Sequence, residues 1–200
     1  MILKKFHTKS AIEAGVDEAG RGCLAGPVFA AAVILPKDYH NSLLNDSKKL
    51  TKRNRYALRE EVIREAVSYA VASVNETDID KLNILQASIR AMHEAISKLT
   101  AKPELLLIDG NRFVPFEDIP YQCIIKGDGL YYSIAAASVL AKTFRDDYMI
   151  SLHEAYPEYG WNQNMGYATR KHIEAIEKHG FSIHHRKSFH LKKQIKLPFA

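Results

Sequence analysis

The 200-residue sequence predicts a single mixed α/β domain: one sheet with helices packed on its faces. Three observations carry the prediction. Three short apolar or alternating segments come early, at residues 14–18, 28–35 and 68–74, and two more follow at 104–108 and 121–125. Helical periodicity fills the spaces between and after the later segments. No internal repeat, low-complexity tract or long linker interrupts the chain.

Residues 14–18 and 28–35 are short and apolar, and Ala19-Gly20-Arg21-Gly22 separates them, so the stretch reads as strand, turn and strand. Thr51 has the side chain to cap a helix running to about Ala66, with Leu58, Val62 and Ala66 on one face. Residues 68–74 alternate as a half-buried strand does. Leu85, Ile89, Met92, Ile96 and Leu99 recur at steps of four and three, the stripe of an amphipathic helix. Residues 104–108 are almost continuously apolar and end at Asp109-Gly110, the pattern of a buried central strand. A fifth strand is expected at 121–125. A long helix begins at Ser133 with Ile134, Ala137, Ala141, Phe144 and Tyr148 on a stripe, and another spans about 169–179 with Gly180 as its stop.

Composition excludes several classes. The 46% hydrophobic and 26% charged fractions suit a soluble globular protein. Apolar runs such as 28–35 are far too short for a membrane helix, and no apolar stretch follows Lys4 and Lys5 as a secretory leader requires. Cys23 and Cys123 build no disulfide framework, so a reducing cytoplasm is the expected setting. The formal net charge is +5, and cations cluster: Lys48, Lys49, Lys52, Arg53, Arg55 and Arg59 in one run, and Lys178, Arg186, Lys187, Lys192, Lys193 and Lys196 after Glu177. Such runs suit a polyanionic partner, or simply form solvated faces.

The carboxylates point to the chemistry. Asp17 and Glu18 precede the glycine-rich turn, Asp109 closes the buried strand, and Asp128 follows the fifth strand in Lys126-Gly127-Asp128-Gly129. Strand ends of this kind converge on ligand crevices. Four crowded acids repel one another and need an offsetting positive charge. Hard oxygen donors suit Mg²⁺ or Mn²⁺, and a pair of such ions activates water and stabilises a leaving oxygen in phosphodiester hydrolysis. Singly, each acid is an ordinary turn former or cap.

The surrounding motifs narrow the reading. Asp17-Glu18-Ala19-Gly20-Arg21-Gly22, then Leu24-Ala25-Gly26-Pro27-Val28, Asp46-Ser47-Lys48-Lys49-Leu50, Ile108-Asp109-Gly110, Lys126-Gly127-Asp128, the Ser133 to Lys142 helix start, Gly166-Tyr167 and His185-Arg186-Lys187-Ser188-Phe189 follow in order. In that order and spacing the chain resembles bacterial ribonuclease HII, the type 2 ribonuclease H, from about residue 15 to 189. The resemblance implies a ribonuclease H-like five-stranded mixed sheet flanked by helices, with a helical, basic C-terminal extension over about 150–200. It implies Asp17, Glu18, Asp109 and Asp128 as catalytic metal ligands for two Mg²⁺ or Mn²⁺ ions, with Asp109 shared between them. Gly20, Arg21 and Gly22 correspond to the segment that grips the ribose 2′-hydroxyl, and that group is what distinguishes RNA from DNA. Tyr167 corresponds to the tyrosine stacking on the following deoxyribose. Lys48 or Lys49, Ser138 and Lys142 match positions near the backbone phosphates. The implied reaction is cleavage 5′ of ribonucleotides in RNA–DNA hybrids and of single ribonucleotides in duplex DNA, leaving 3′-hydroxyl and 5′-phosphate.

Departures and rivals are explicit. Asn164-Met165 stands where the family often has His-Lys, so a lysine phosphate contact is missing or supplied elsewhere, for instance by Lys171. Cys23 stands where proline is frequent and reads as a small filler. Asp146 and Asp147 read as surface or ion-pair residues. His184, His185 and His190 lack zinc-site spacing and read as part of a basic, phosphate-facing tail. Gln194, Leu197 and Phe199 resemble the peptide by which replication proteins dock on the sliding clamp, against the plainer reading of a frayed tail. The enzyme rivals are a type 3 ribonuclease H, which needs a further N-terminal domain, and a transposase or resolvase, which lacks the Gly-Arg-Gly segment. A non-catalytic hybrid-binding protein is the rival from another class, and its anionic cluster would oppose phosphate binding. A monomer is the default expectation.

Overall fold

The computed structural model describes residues 3–44 and 50–189. Its strands are β1 (Glu13–Ala19), β2 (Val28–Ile34), β3 (Ser68–Val74), β4 (Leu105–Asp109) and β5 (Tyr121–Ile124). Its helices are α1 (Lys52–Glu65), α2 (Glu76–Leu82), α3 (Ile84–Ser97), α4 (Tyr132–Ala155), the single turn α5 (Trp161–Asn164) and α6 (Arg170–His179). The predicted mixed sheet is present, in the order β3-β2-β1-β4-β5. β1 pairs antiparallel with β2, and β2 with β3, whereas β1–β4 and β4–β5 are parallel.

Local chemistry sets the element ends. The Thr51 hydroxyl accepts from the Asn54 amide at 3.2 Å and starts α1, as its residue type predicts. Asn83 caps α3 by accepting from the Leu85 and Gln86 amides. Two features went beyond the sequence reading. α2 occupies only seven residues, too few for a periodic stripe to show, and α5 is shorter still.

Helices cover both sheet faces. On one face α3 buries Ala87, Ala91, Met92, Ala95 and Ile96 against Val16, Ala30, Leu106 and Ile108. On the other, α4 and α1 bury Leu140, Val139, Leu58 and Val62 against Ala31 and Val33. α4 lies so close to β1 that a Cβ on Gly15 would overlap the main chain of Ser133. Beyond α4, a third cluster of Leu24, Met149, Tyr159, Trp161 and Ile176 fastens the C-terminal segment to the turn after β1. That segment is helical only in part, since residues 180–189 form turns and an isolated bridge from His185 to Ala25.

Candidate active site

Sheet register brings the first three acids together. Val16 of β1 lies opposite Ile108 of β4 in the parallel pair, so the next residues along each strand are Asp17 and Asp109. Neighbouring strands lie about 4.8 Å apart, which sets two carboxylates side by side at the end of the central pair. Asp17 is buried and repelled by both Glu18 and Asp109. Burial first, then that repulsion, pushes its carboxyl well above the usual carboxylate range. The Ser138 hydroxyl and the Glu18 amide, which donates at 2.7 Å, pull the other way. Burial also raises Glu18, and the Arg21 guanidinium at 3.0 Å opposes the rise. Asp109 accepts from the Gly127 amide at 2.7 Å, which ties β4 to the short 3₁₀ turn over Gly127–Gly129. Asp128 sits on that turn and is buried.

These carboxylates fit a divalent cation. They are hard oxygen donors, Asp17 and Glu18 are desolvated and both repelled by Asp109, and the Arg21 guanidinium bonds directly to Glu18. Among the described residues no group of three or more acidic, histidine or cysteine side chains is gathered to hold a metal ion together. An ion that keeps several waters and shares ligands with a substrate phosphate needs only one or two carboxylates.

The remaining candidates surround this cluster. Gly20 is buried at φ +95°, whereas Arg21 and Gly22 are exposed. Ser138 is buried and faces Asp17. Lys142 donates to Asp146 at 2.6 Å, and its ammonium stands 6.0 Å from the Tyr167 ring centre. Tyr167 is 42% exposed, and its hydroxyl lies near the buried Cys23. Asp147 pairs with Arg59, so the ion-pair expectation for Asp146 and Asp147 holds. Lys48 and Lys49 lie outside the described residues, as do His190 and the tail residues 194–199.

The structure corrects the reading of the tail. Arg186 and His185, expected in a basic, phosphate-facing surface, are each only 1% exposed. His185 Nδ1 accepts from the Ser182 amide at 2.9 Å, and its Nε2 lies 3.2 Å from His172 Nε2. Trp161 donates to that same His172 nitrogen at 3.0 Å, and His172 Nδ1 meets the Tyr167 carbonyl at 2.9 Å. Arg145 was missed altogether. It lies buried in α4 at steps of four from Ala141 and Met149, within an otherwise apolar stripe. An arginine at a stripe position is the signal that could have found it.

The family model for Ribonuclease HII matches residues 14–192. The chain belongs to the ribonuclease HII family. It is 60% identical over 190 residues to the Ribonuclease HII of Bacteroides thetaiotaomicron, covering 95% of both chains. Its fold is similar to ribonuclease H2 from Pyrococcus horikoshii OT3, with TM-score 0.75 and 26% identity over 88% of this chain and 93% of the other. It is similar too to the enzyme in the PCNA:RNase HII complex from Archaeoglobus fulgidus, at TM-score 0.76 and 26% identity over 94% and 100% of the two chains. Ribonuclease HII is a metal-dependent hydrolase family acting on RNA in RNA–DNA hybrids, and this chain is accordingly a metal-dependent endoribonuclease of the ribonuclease H class. Among the described residues no helix is long and apolar enough to cross a membrane.

Proposed function

We propose that this ribonuclease HII cuts the phosphodiester on the 5′ side of ribonucleotides, both in RNA–DNA hybrids and at single ribonucleotides within duplex DNA. The products are a 3′-hydroxyl and a 5′-phosphate. The observation that carries the proposal is the adjacency of two features: a buried, mutually repelling carboxylate group and an exposed Arg21-Gly22 turn that follows it directly in the chain. Asp17, Glu18, Asp109 and Asp128 would hold two Mg²⁺ or Mn²⁺ ions, with Asp109 shared. When bound, such a pair supplies water activation and stabilises the departing oxygen. Ser138 steadies Asp17 through its hydroxyl. Gly20, Arg21 and Gly22 read the 2′-hydroxyl through main-chain groups. Tyr167, partly exposed, stacks on the deoxyribose that follows, and Lys142 with Lys48 or Lys49 meets backbone phosphates.

The test is a gel assay on duplex DNA carrying one ribonucleotide, with all-DNA and all-RNA duplexes as controls, in Mg²⁺ or Mn²⁺. A cut immediately 5′ of the ribonucleotide is expected, absent from both controls and from an Asp109→Asn variant that still folds. Binding without cutting in either metal would instead favour a hybrid-binding protein. We further read the whole chain as one catalytic domain acting as a cytoplasmic monomer. Residues 194–199 are read as a clamp-docking peptide, in line with a relative solved together with PCNA. Deleting residues 194–200 should abolish affinity for the sliding clamp, and unchanged affinity would end that reading.

A further inference from the structure

Two arginines lie buried beneath residues 20–27, and neither pairs with a carboxylate among the described residues. Burying an unpaired cation is costly, and an apolar side chain would fill the same space more cheaply. Main-chain carbonyls alone satisfy these two. Arg186 donates from Nη2 to the Gly20 and Gly26 carbonyls at 2.7 Å each, from Nη1 to the Arg21 carbonyl at 2.9 Å, and from Nε to Gly26 at 2.9 Å. Arg145 holds the carbonyls of Pro27, Ala25 and Met165 instead.

The direction of these bonds has a consequence for the exposed side of the turn. In a planar trans peptide the N–H points opposite to the C=O. With the Gly20 and Arg21 carbonyls turned down onto Arg186, the Arg21 and Gly22 N–H groups point away from it, and both residues are exposed. Neither N–H has a hydrogen-bond partner among the described residues. A cation at the oxygen end polarises each peptide and strengthens its N–H as a donor. The outer side is also clear, since a Cβ on Gly22 would meet nothing within 4 Å. The fold itself therefore gives no steric reason for glycine at that position.

We propose that Arg186 is a positioning residue for ribonucleotide recognition: from beneath the turn it fixes the Arg21 and Gly22 amides outward as a paired donor site for the ribose 2′-hydroxyl. A hydroxyl oxygen has two lone pairs to accept such a pair. Arg186 touches no substrate. The inference rests on the reading of this turn given under the proposed function, and it adds which buried group holds the turn in its working form.

The test measures binding of the full-length chain, carrying Asp109→Asn so that bound duplex is not cut, to two probes in Mg²⁺. One is duplex DNA with a single ribonucleotide and the other is the same duplex with deoxyribose throughout. The parent should prefer the ribonucleotide by about tenfold, the worth of one to two such hydrogen bonds. Arg186→Lys, whose point charge cannot fork across the carbonyls, should reduce that preference to within about twofold of unity while leaving affinity for the all-DNA probe unchanged. Arg145→Lys should loosen the fold and keep the preference, because Arg145 packs against Gly20 but bonds neither the Gly20 nor the Arg21 carbonyl. Full preference in a folded Arg186→Lys chain overturns the inference alone, and equal loss in both arginine variants overturns it as mere loosening. A parent with no preference sinks the reading of the turn and the inference with it. Should Arg186→Lys not fold, the Arg21 and Gly22 amide resonances of the unsubstituted-loop parent decide. Shifts with the ribonucleotide probe and not with the all-DNA probe support the paired donors, and equal responses refute them.

Discussion

Gly20 and Gly22 stand two residues apart and meet different demands. At Gly20, φ is +95° and a Cβ would overlap the Arg145 side chain, so the fold itself requires glycine. At Gly22 a Cβ would enter open space. Gly20→Ala is therefore expected to destabilise by about 1–3 kcal/mol, from strained backbone and overpacking together. Gly22→Ala should leave stability within about 0.5 kcal/mol of the parent. Its added methyl should nonetheless obstruct a ribose approaching the amides and lower kcat/KM on a single-ribonucleotide duplex by about tenfold, through a loss of about 1.4 kcal/mol of substrate binding. Chemical denaturation and steady-state cleavage on the same preparations check both. A Gly22→Ala enzyme that cuts as well as the parent would mean the 2′-hydroxyl is read elsewhere. Cys23, next in the chain, is fully buried and contacts the Tyr167 hydroxyl, which suits the small filler its residue type suggested.

At the scale of elements, the contact of β1 with α4 couples stability to the site. Gly15 has no room for a side chain because the Ser133 main chain lies against it, and main chain cannot yield as a flexible side chain does. Gly15→Ala is expected to cost about 3 kcal/mol, read as a lower urea midpoint. Because α4 also carries Ser138, Lys142 and Arg145, activity should fall even at temperatures where the variant stays folded. An unchanged midpoint would show that α4 can slide without penalty. The strong periodic elements were legible in the sequence for plain reasons. Thr51 announced α1, the stripe from Leu85 to Leu99 announced α3, and the apolar run before Asp109 announced β4. The four acids were legible because each stands where a strand gives way to glycine. Arg145, Arg186, His172 and His185 were not, because polar residue types say nothing about burial when their partners are main-chain carbonyls or one another across 13 to 166 residues of chain. Register was equally silent: only the pairing of Val16 with Ile108 reveals that Asp17 and Asp109 are neighbours.

Across the whole molecule, the C-terminal segment is held to the catalytic sheet by contacts that need uncharged histidines. The Ser182 amide donates to His185 Nδ1, so the proton of neutral His185 sits on Nε2 and points at His172 Nε2, whose single lone pair it shares with the Trp161 N–H. His172 then uses its Nδ1 proton for the Tyr167 carbonyl, and the chain of bonds ends at the residue proposed to stack on substrate. Burial, with His172 alongside, pushes His185 down to about 4, and burial lowers His172 as well. The unfolded chain has His185 near its ordinary value of about 6.5, so between pH 6.5 and 4 the unfolded state binds the extra proton. Stability should therefore be intact above about pH 6.5 and decline as pH falls toward 4, by on the order of 3 kcal/mol from His185. Asp17 and Glu18 act with the opposite sign, since their raised carboxyls take up protons more readily in the folded state. The histidine contribution is isolated by comparison with His185→Asn, whose side-chain oxygen can still accept from Ser182. Urea unfolding at intervals from pH 7.5 to 4 should show the parent losing stability more steeply than the variant across that window. Parallel curves would place the acid sensitivity outside the histidine pair and leave His172 and His185 as packing alone.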